Sequence, residues 1–397
     1  MTERLEQADS YLKSFKSSVA EVKDGGKQVA LKESAFYPTS GGQLFDTGSL
    51  NGIPVVDVVK DGGQVWHTLD GNLNVGTEVE GYINWPRRYR HMQRHTAQHL
   101  VSQAFLRVDP VFETRSVSLS SPVCTVDFAG EPQEGDLGSA QKLVNDICYQ
   151  NLSVHSFTVS DAEVGKYPLR RPPKVSGQIR LVQMGDWELS ACGGTHLRSA
   201  AEALPIKLLG LERVKGNLRR VSFAAGWDAL EDYDLKHGVT RYLGQSLSSP
   251  PTDLPDQVAR LQVALRESQT AAKARLEQLA TLQAEHLLQQ AETVAGLKLI
   301  VLTLDDADLA PLLAAQLSKH EDVVALTGFQ ASGRASYLFM RSEALDIDVN
   351  ALLQVALPFI GGRGGGKPDR AQGGGSDVSG LEEGLEAARR ALLASHN

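Results

Sequence analysis

The chain has 397 residues, 42% of them apolar and 22% charged, and a formal charge of −8. That length exceeds one comfortable hydrophobic core and predicts two or three domains, and no run of eighteen apolar residues is present to span a membrane. Three cysteines (Cys124, Cys148, Cys192) and a polar, acidic start from Met1 to Ser10 fit a reducing cytosol better than a disulfide scaffold or a secretory leader. The acidic balance disfavours a protein that coats nucleic acid, but fields are screened within roughly 8–10 Å at physiological salt, so local clusters matter more. Four basic clusters occur: Arg87, Arg88, Arg90 and Arg94; Arg170, Arg171 and Lys174; Arg213, Lys215, Arg219 and Arg220; Arg363, Lys367 and Arg370. Each reads equally as an ordinary solvated face, and composition neither requires nor excludes an RNA partner.

In chain order, residues 1–88 read as β-rich. Val29–Glu33, Val55–Val59 and Val79–Ile83 are short and separated by Gly, Asn and Asp turn signals, as in a small barrel. From Tyr89 to Val108 the pattern becomes an amphipathic helix, with Met92, His95, His99 and Ala104 three to five apart. Strand-like stretches follow at Val123–Phe128, Val154–Val159 and Ile179–Met184, with a helical Leu137–Asn151 between them. Helix and antiparallel strands in one unit predict an α+β domain over 89–245. Ser246 to Pro255 holds three prolines and reads as a boundary.

Residues 256–294 lack Gly and Pro and predict a helix of roughly 55 Å. Val258, Leu261, Leu265, Ala272, Leu279 and Leu282 follow an a/d spacing interrupted by Ser268 and Arg275. Such a stripe over 256–295 can form a homodimer or pack on its own domain. Beyond it, Leu299–Leu304, Val323–Thr327 and Ser336–Arg341 predict strands in a compact C-terminal α/β module over 296–397.

Two motifs carry chemistry. His95-Thr-Ala-Gln-His99 puts two imidazoles on one helix face, one turn apart, where both can reach one divalent ion. Cys192-Gly-Gly-Thr-His196 offers a thiol and an imidazole across a Gly-Gly turn, and Cys with His favours zinc over hard cations. Thr96 stands where a zincin helix carries its glutamate base, which argues against a peptidase and leaves the general base unassigned. His91, one turn before His95, reads as a spare ligand or as a packed histidine. Gly361–Lys367 satisfies most of a P-loop pattern, but Pro368 replaces the magnesium-binding Ser or Thr, so ATP binding is not expected. The same glycine-rich loop can form an anion-binding concavity beside Arg363, Lys367 and Arg370.

His95-Thr-Ala-Gln-His99-Leu together with Cys192-Gly-Gly-Thr-His196 resembles the editing domain of alanyl-tRNA synthetase and its free-standing relatives, the AlaX proteins. Phe36-Tyr-Pro-Thr-Ser-Gly-Gly-Gln43, with Asp46 and Gly48, resembles the glycine motif of the small barrel preceding that domain. Lys215-Gly-Asn-Leu-Arg219-Arg220 resembles the segment closing the editing core, and Gly361 to Gly375 the signature of the C-terminal domain shared with DHH-type phosphoesterases.

The resemblance implies the long AlaX form: barrel over 1–88, zinc editing core over 89–245, long helix, and C-terminal tRNA-binding globular domain. It implies zinc on His95, His99, Cys192 and His196, and deacylation of mischarged tRNA(Ala), chiefly the seryl and also the glycyl form, errors that arise because one hydroxyl or methyl discriminates poorly. Thr39, Gln43, Ser116 and Ser118 are candidate substrate contacts, with ordinary turn or strand residues as the alternative. Asp186 is a candidate to orient a histidine. Contact of Arg363, Lys367 and Arg370 with the outer corner of the tRNA is implied as well. No Asp-His-His sequence is present for a phosphoesterase. Two rival readings remain: a tRNA-binding module with a structural zinc, and a hydrolase of small esters.

Overall fold

The computed structural model describes residues 1–173, 175–214 and 216–395. Lys174 and Lys215, members of two of the basic clusters, lie outside the described residues. The chain divides into two compact units, Met1–Gln245 and Ser246–Asn397.

The first unit begins with a barrel. Its strands are β1 (Ser14–Lys23), β2 (Gln28–Leu31), β3 (Gly48–Leu50), β4 (Ile53–Asp61), β5 (Gln64–Leu69) and β6 (Glu78–Ile83). They close in the order β1-β2-β5-β4-β3-β6, all neighbours antiparallel. Alternation fills it: along β6, Val79, Gly81 and Ile83 point in while Glu78, Glu80 and Tyr82 point out. Phe15, Val29, Leu31, Phe36, Leu50 and Val58 form the core. Before the barrel, Glu3–Arg4 pairs in parallel with Glu33–Ser34 and lays the N-terminal segment against it.

Helix α1 (Trp85–Val108) follows, with Asn84 as N-cap accepting from Arg87 N at 3.3 Å and Pro86 in the first turn. From His91 to Phe105 every residue except Gln103 is buried. A helix enclosed all round is ordinarily apolar, yet this one buries Arg88, His91, Gln93, Arg94, His95, Thr96, Gln98, His99 and Ser102. Most of these find partners, as burial demands. Arg88 pairs with Asp46, both fully buried, and donates to Ala35 O at 2.5 Å and Ser10 O at 2.9 Å, so the helix start is tied to the barrel. Arg94 pairs with Asp228 at 2.6 Å.

Around α1 stand β7 (Thr114–Ser118), β8 (Cys124–Phe128), α2 (Glu134–Tyr149), β9 (Val154–Ser160), β10 (Gln178–Met184), β11 (Glu188–Ala191), β12 (Ile206–Arg213), β13 (Arg219–Ala225) and α3 (Trp227–Ser246). They form a four-stranded sheet, β12-β13-β8-β7, and a three-stranded sheet, β9-β10-β11. Met92, Leu100, Ala104, Phe105, Phe128, Val144 and Phe223 share the core between them.

The second unit holds α4 (Leu254–Gln290), β14 (Glu292–Val294), β15 (Leu297–Leu304), α5 (Leu309–Leu317), β16 (Val323–Ala331), β17 (Arg334–Arg341), α6 (Val349–Ala356), β18 (Arg363–Gly366), β19 (Arg370–Gly375) and α7 (Leu381–Ser395). One mixed sheet runs β14-β15-β16-β17-β19-β18, parallel only at β15–β16. One open alternative, that the a/d stripe packs on its own domain, is excluded here, and one expectation is corrected. The face of α4 that packs on its own unit is Leu276, Ala280, Ala284, Leu287 and Leu288, not the a/d stripe, whose Val258, Leu261, Leu265, Leu279 and Leu282 are exposed. The small Ala280 and Ala284 let the helix approach α5 closely, which a leucine stripe would not. The glycine-rich stretch read as a loop is a β-hairpin at the sheet edge, because β17 supplies hydrogen-bonding partners that override the poor strand propensity of glycine.

Candidate metal centre

The cluster is assembled from α1 and from the loop leaving β11. His95 and His99 stand one turn apart on α1, and the loop brings Cys192 and His196 to them, with all four ligand atoms within 4.8 Å of one another. His95 Nε2 and His196 Nε2 lie 3.4 and 3.3 Å from Cys192 Sγ. The histidines are buried and Cys192 is half-buried. Arg180 on β10 shapes the loop by donating to Cys192 O and Gly194 O, each at 2.9 Å, and the Gly194 N–H points at Cys192 Sγ at 3.4 Å.

Each imidazole is held by its far nitrogen. Gln43 Oε1 lies 2.8 Å from His95 Nδ1, while Gln43 Nε2 donates to Thr195 Oγ1 at 2.8 Å. The Thr195 N–H also donates to Gln43 Oε1 at 3.3 Å, which fixes that atom as the amide oxygen, so His95 carries its proton on Nδ1 and presents the Nε2 lone pair to the cluster. His99 Nδ1 faces Glu188 Oε1 at 3.1 Å, and that oxygen also receives Arg170 Nε and Ser190 Oγ, each at 2.9 Å. A carboxylate that is hydrogen-bonded in this way accepts, which again leaves Nε2 free. His196 Nδ1 lies 3.3 Å from Thr96 Oγ1.

Protonation agrees with this arrangement. Burial, with Arg180 nearby, holds His95 at about 4, and burial with the neighbouring imidazoles pushes His196 well below its ordinary value. For His99 burial is opposed by hydrogen bonds to Cys192 and Glu188, which raise it. For Cys192 burial is outweighed by His99 and the Gly194 N–H, which lower the thiol. The opposite directions for His99 and Cys192 are those of an imidazole and a thiol that share one proton, the proton a metal ion would displace on binding Nε2 and Sγ.

Of the other candidates, Gln43 is fully buried and engaged with His95 and Thr195. Thr39 is exposed, with its hydroxyl accepting from Phe45 N at 3.1 Å. Ser116 and Ser118 are exposed on β7, Ser116 donating to Asp127 at 2.5 Å. The glycine turn meets that strand where Leu119 N donates to Gly42 O at 3.1 Å. His91 is buried outside the cluster, with neither ring nitrogen hydrogen-bonded among the described residues, and burial pushes it to about 3. Asp186 is exposed; the carboxylate on a histidine is Glu188. The overlooked signal was a period-two polar stripe, Glu188, Ser190 and Cys192, which an extended chain places on one face. In the second unit Arg363, Lys367 and Arg370 are exposed on the hairpin, without ion pairs among the described residues.

Two family models match the chain: "Threonyl and Alanyl tRNA synthetase second additional domain" over residues 179–222, and "DHHA1 domain" over 296–394. The alanine–tRNA ligase of Synechocystis sp. is 29% identical over 393 residues, covering 92% of this chain, and that of Pyrococcus abyssi is 30% identical over 407 residues, covering 98%. The chain spans 44% of the length of each. Among solved structures, the C-Ala domain of Aquifex aeolicus alanyl-tRNA synthetase is 18% identical with a TM-score of 0.24, covering 26% of this chain and 97% of that one.

Proposed function

Because this chain is an alanyl-tRNA-synthetase-like protein, carrying the editing-type and C-terminal domains of those enzymes, we propose that it hydrolyses the ester joining a wrong amino acid to tRNA(Ala). Serine is the chief target and glycine a second. The site is the cluster of His95, His99, Cys192 and His196, holding zinc. The observation that carries this reading is the fixing of the far nitrogen of all three imidazoles, which turns each Nε2 toward the cluster beside Cys192 Sγ. Surface histidines are not braced in this way; metal-binding ones are.

The donor set fits zinc. Tetrahedral coordination with Zn–S about 2.3 Å and Zn–N about 2.0–2.1 Å implies sulfur-to-nitrogen edges of about 3.5 Å, and the two measured edges are 3.4 and 3.3 Å. Zinc bound there supplies Lewis acidity, toward an ester carbonyl or toward water. The chain does the rest. Gln43 and Glu188 hold the imidazoles in one orientation, Arg180 and the Gly194 N–H stabilise the loop and the thiolate, and the half-buried Cys192 is the corner nearest solvent. The hairpin cations Arg363, Lys367 and Arg370 are proposed to hold the body of the tRNA.

Seryl-, glycyl- and alanyl-tRNA(Ala) offered to the purified chain test this. Serine is released and alanine is not; Cys192→Ala or chelation abolishes the reaction, and zinc restores the chelated protein. Tight tRNA binding with zinc present but no deacylation overturns the reading in favour of a structural zinc in a tRNA-binding module. Equal hydrolysis of a free seryl ester points to a small-ester hydrolase.

A further inference from the structure

On α1, His95, Gln98, His99 and Ser102 follow the i, i+3, i+4, i+7 spacing of one face. Past His99 that face opens on a cavity of about 220 Å³ whose lining includes Ser102, Phe112, Glu113, Thr114, Arg170 and Arg171. The cavity lies one turn, about 5 Å of helix axis, beyond the ligand His99. It is smaller than the roughly 300–1,000 Å³ of pockets that enclose whole small molecules. It has room for one compact group.

Its charges identify the group. Among the described residues Arg170 uses only Nε of its side chain, on Glu188 at 2.9 Å. Glu113, a carboxylate in the lining that also acts on Arg171, is met by Arg115 at 3.1 Å where both are exposed. Arg171 has no hydrogen bond and no ion pair among the described residues, although it is half-buried beside Arg170. Once the paired charges cancel, one guanidinium stands uncompensated and partly desolvated in a cavity. Its walls also carry hydroxyls: Ser102 Oγ receives Gln98 Nε2 at 2.8 Å and Thr114 Oγ1 at 2.9 Å. A planar fork of donors in such a place matches a phosphate.

We propose that this cavity receives a phosphate of the single-stranded acceptor end of tRNA, with Arg171 as its anchor and the free Nη groups of Arg170 beside it. The inference rests on the deacylase reading, since it places the terminal phosphate one helical turn from the atoms that face the ester. Arg171 then sets the register of the substrate.

Equilibrium binding of a 5′-phosphorylated CCA trinucleotide to the full chain, by calorimetry at several salt concentrations, is the test. Arg171→Gln weakens binding about tenfold or more and lowers the slope of log K against log salt by about 0.7, the value for one phosphate contact on a single strand. Arg171→Glu weakens it further, and unphosphorylated adenosine is indifferent to either change. Unchanged trinucleotide affinity and slope in both variants overturns the proposal. So does binding of inorganic phosphate that both variants lose while trinucleotide affinity stays the same, because the cavity is then a free-phosphate site. A chain that binds the trinucleotide through Arg171 but deacylates nothing overturns the preceding section and leaves this one standing.

Discussion

Glu188 illustrates how much of this site depends on residues that touch no ligand. Its one bonded oxygen orients His99 while Arg170 and Ser190 hold it in turn. Removing that charge while keeping the shape, as Glu188→Gln, should weaken zinc binding about 10–100-fold, read by competition with a chromophoric chelator; unaltered affinity contradicts the bracing role. The four candidate ligands were legible in the sequence because ligand types at short spacings are a local signal. Glu188 was not, since a lone carboxylate four residues before a cysteine gains meaning only when a strand and a helix meet. His67 offers a separate test of burial. It is fully buried in the barrel and held at about 4 by desolvation, against an ordinary value near 6.5, with Ser34 and Val29 on its two nitrogens. The unfolded chain therefore takes up a proton that the folded one refuses. The contribution is fully present above pH 6.5 and is lost as pH falls to 4, at a cost of about 3 kcal/mol. Urea denaturation of His67→Asn across that window should show a flatter stability profile than the parent.

At the scale of elements, the Cys192–His196 loop separates two glycines that the sequence presents as equivalent. Gly193 is exposed and a Cβ there meets nothing within 4 Å, whereas a Cβ on the buried Gly194 would overlap the His95 ring. Gly194→Ala should displace the imidazole and abolish zinc binding with the fold kept by circular dichroism. Gly193→Ala should bind zinc as the parent does. Equal behaviour of the two variants would sink this account. Helix α1 was legible in outline, from its spacing and its freedom from breakers between Pro86 and Pro110. What the spacing hid is that its polar residues face inward, since an amphipathic pattern is normally oriented with its charges toward water. The edge hairpin over 363–375 was hidden for a different reason: glycine carries no strand signal, and the pairing comes from β17.

Across the whole molecule, all four candidate ligands and the residues that brace them lie in the first unit, which has hydrophobic cores of its own. A fragment of residues 1–245 should therefore fold and bind one zinc per chain by elemental analysis. Its affinity for tRNA should fall, with a shallower salt dependence, because Arg363, Lys367 and Arg370 are gone. Salt slopes that coincide for fragment and full chain would remove the hairpin from the interface. The Gly- and Pro-free run of α4 was readable as a helix, but the face it turns to its own sheet was not, because alanines rather than leucines make the contact.

His95 and Cys192 lie 97 residues apart in the chain. An ion shared between them would act as a cross-link, tying off a loop that contains α2 and the strands β7 to β11. For a covalent tie of that span, the loss of disorder in the unfolded chain is about 4–5 kcal/mol, comparable to the whole stability of many domains. Metal supply would then govern the lifetime of the folded protein as well as its chemistry. Stripped of its ion, the chain should be cut by proteases within this loop sooner than the zinc-loaded chain is, which limited proteolysis with and without a chelator checks.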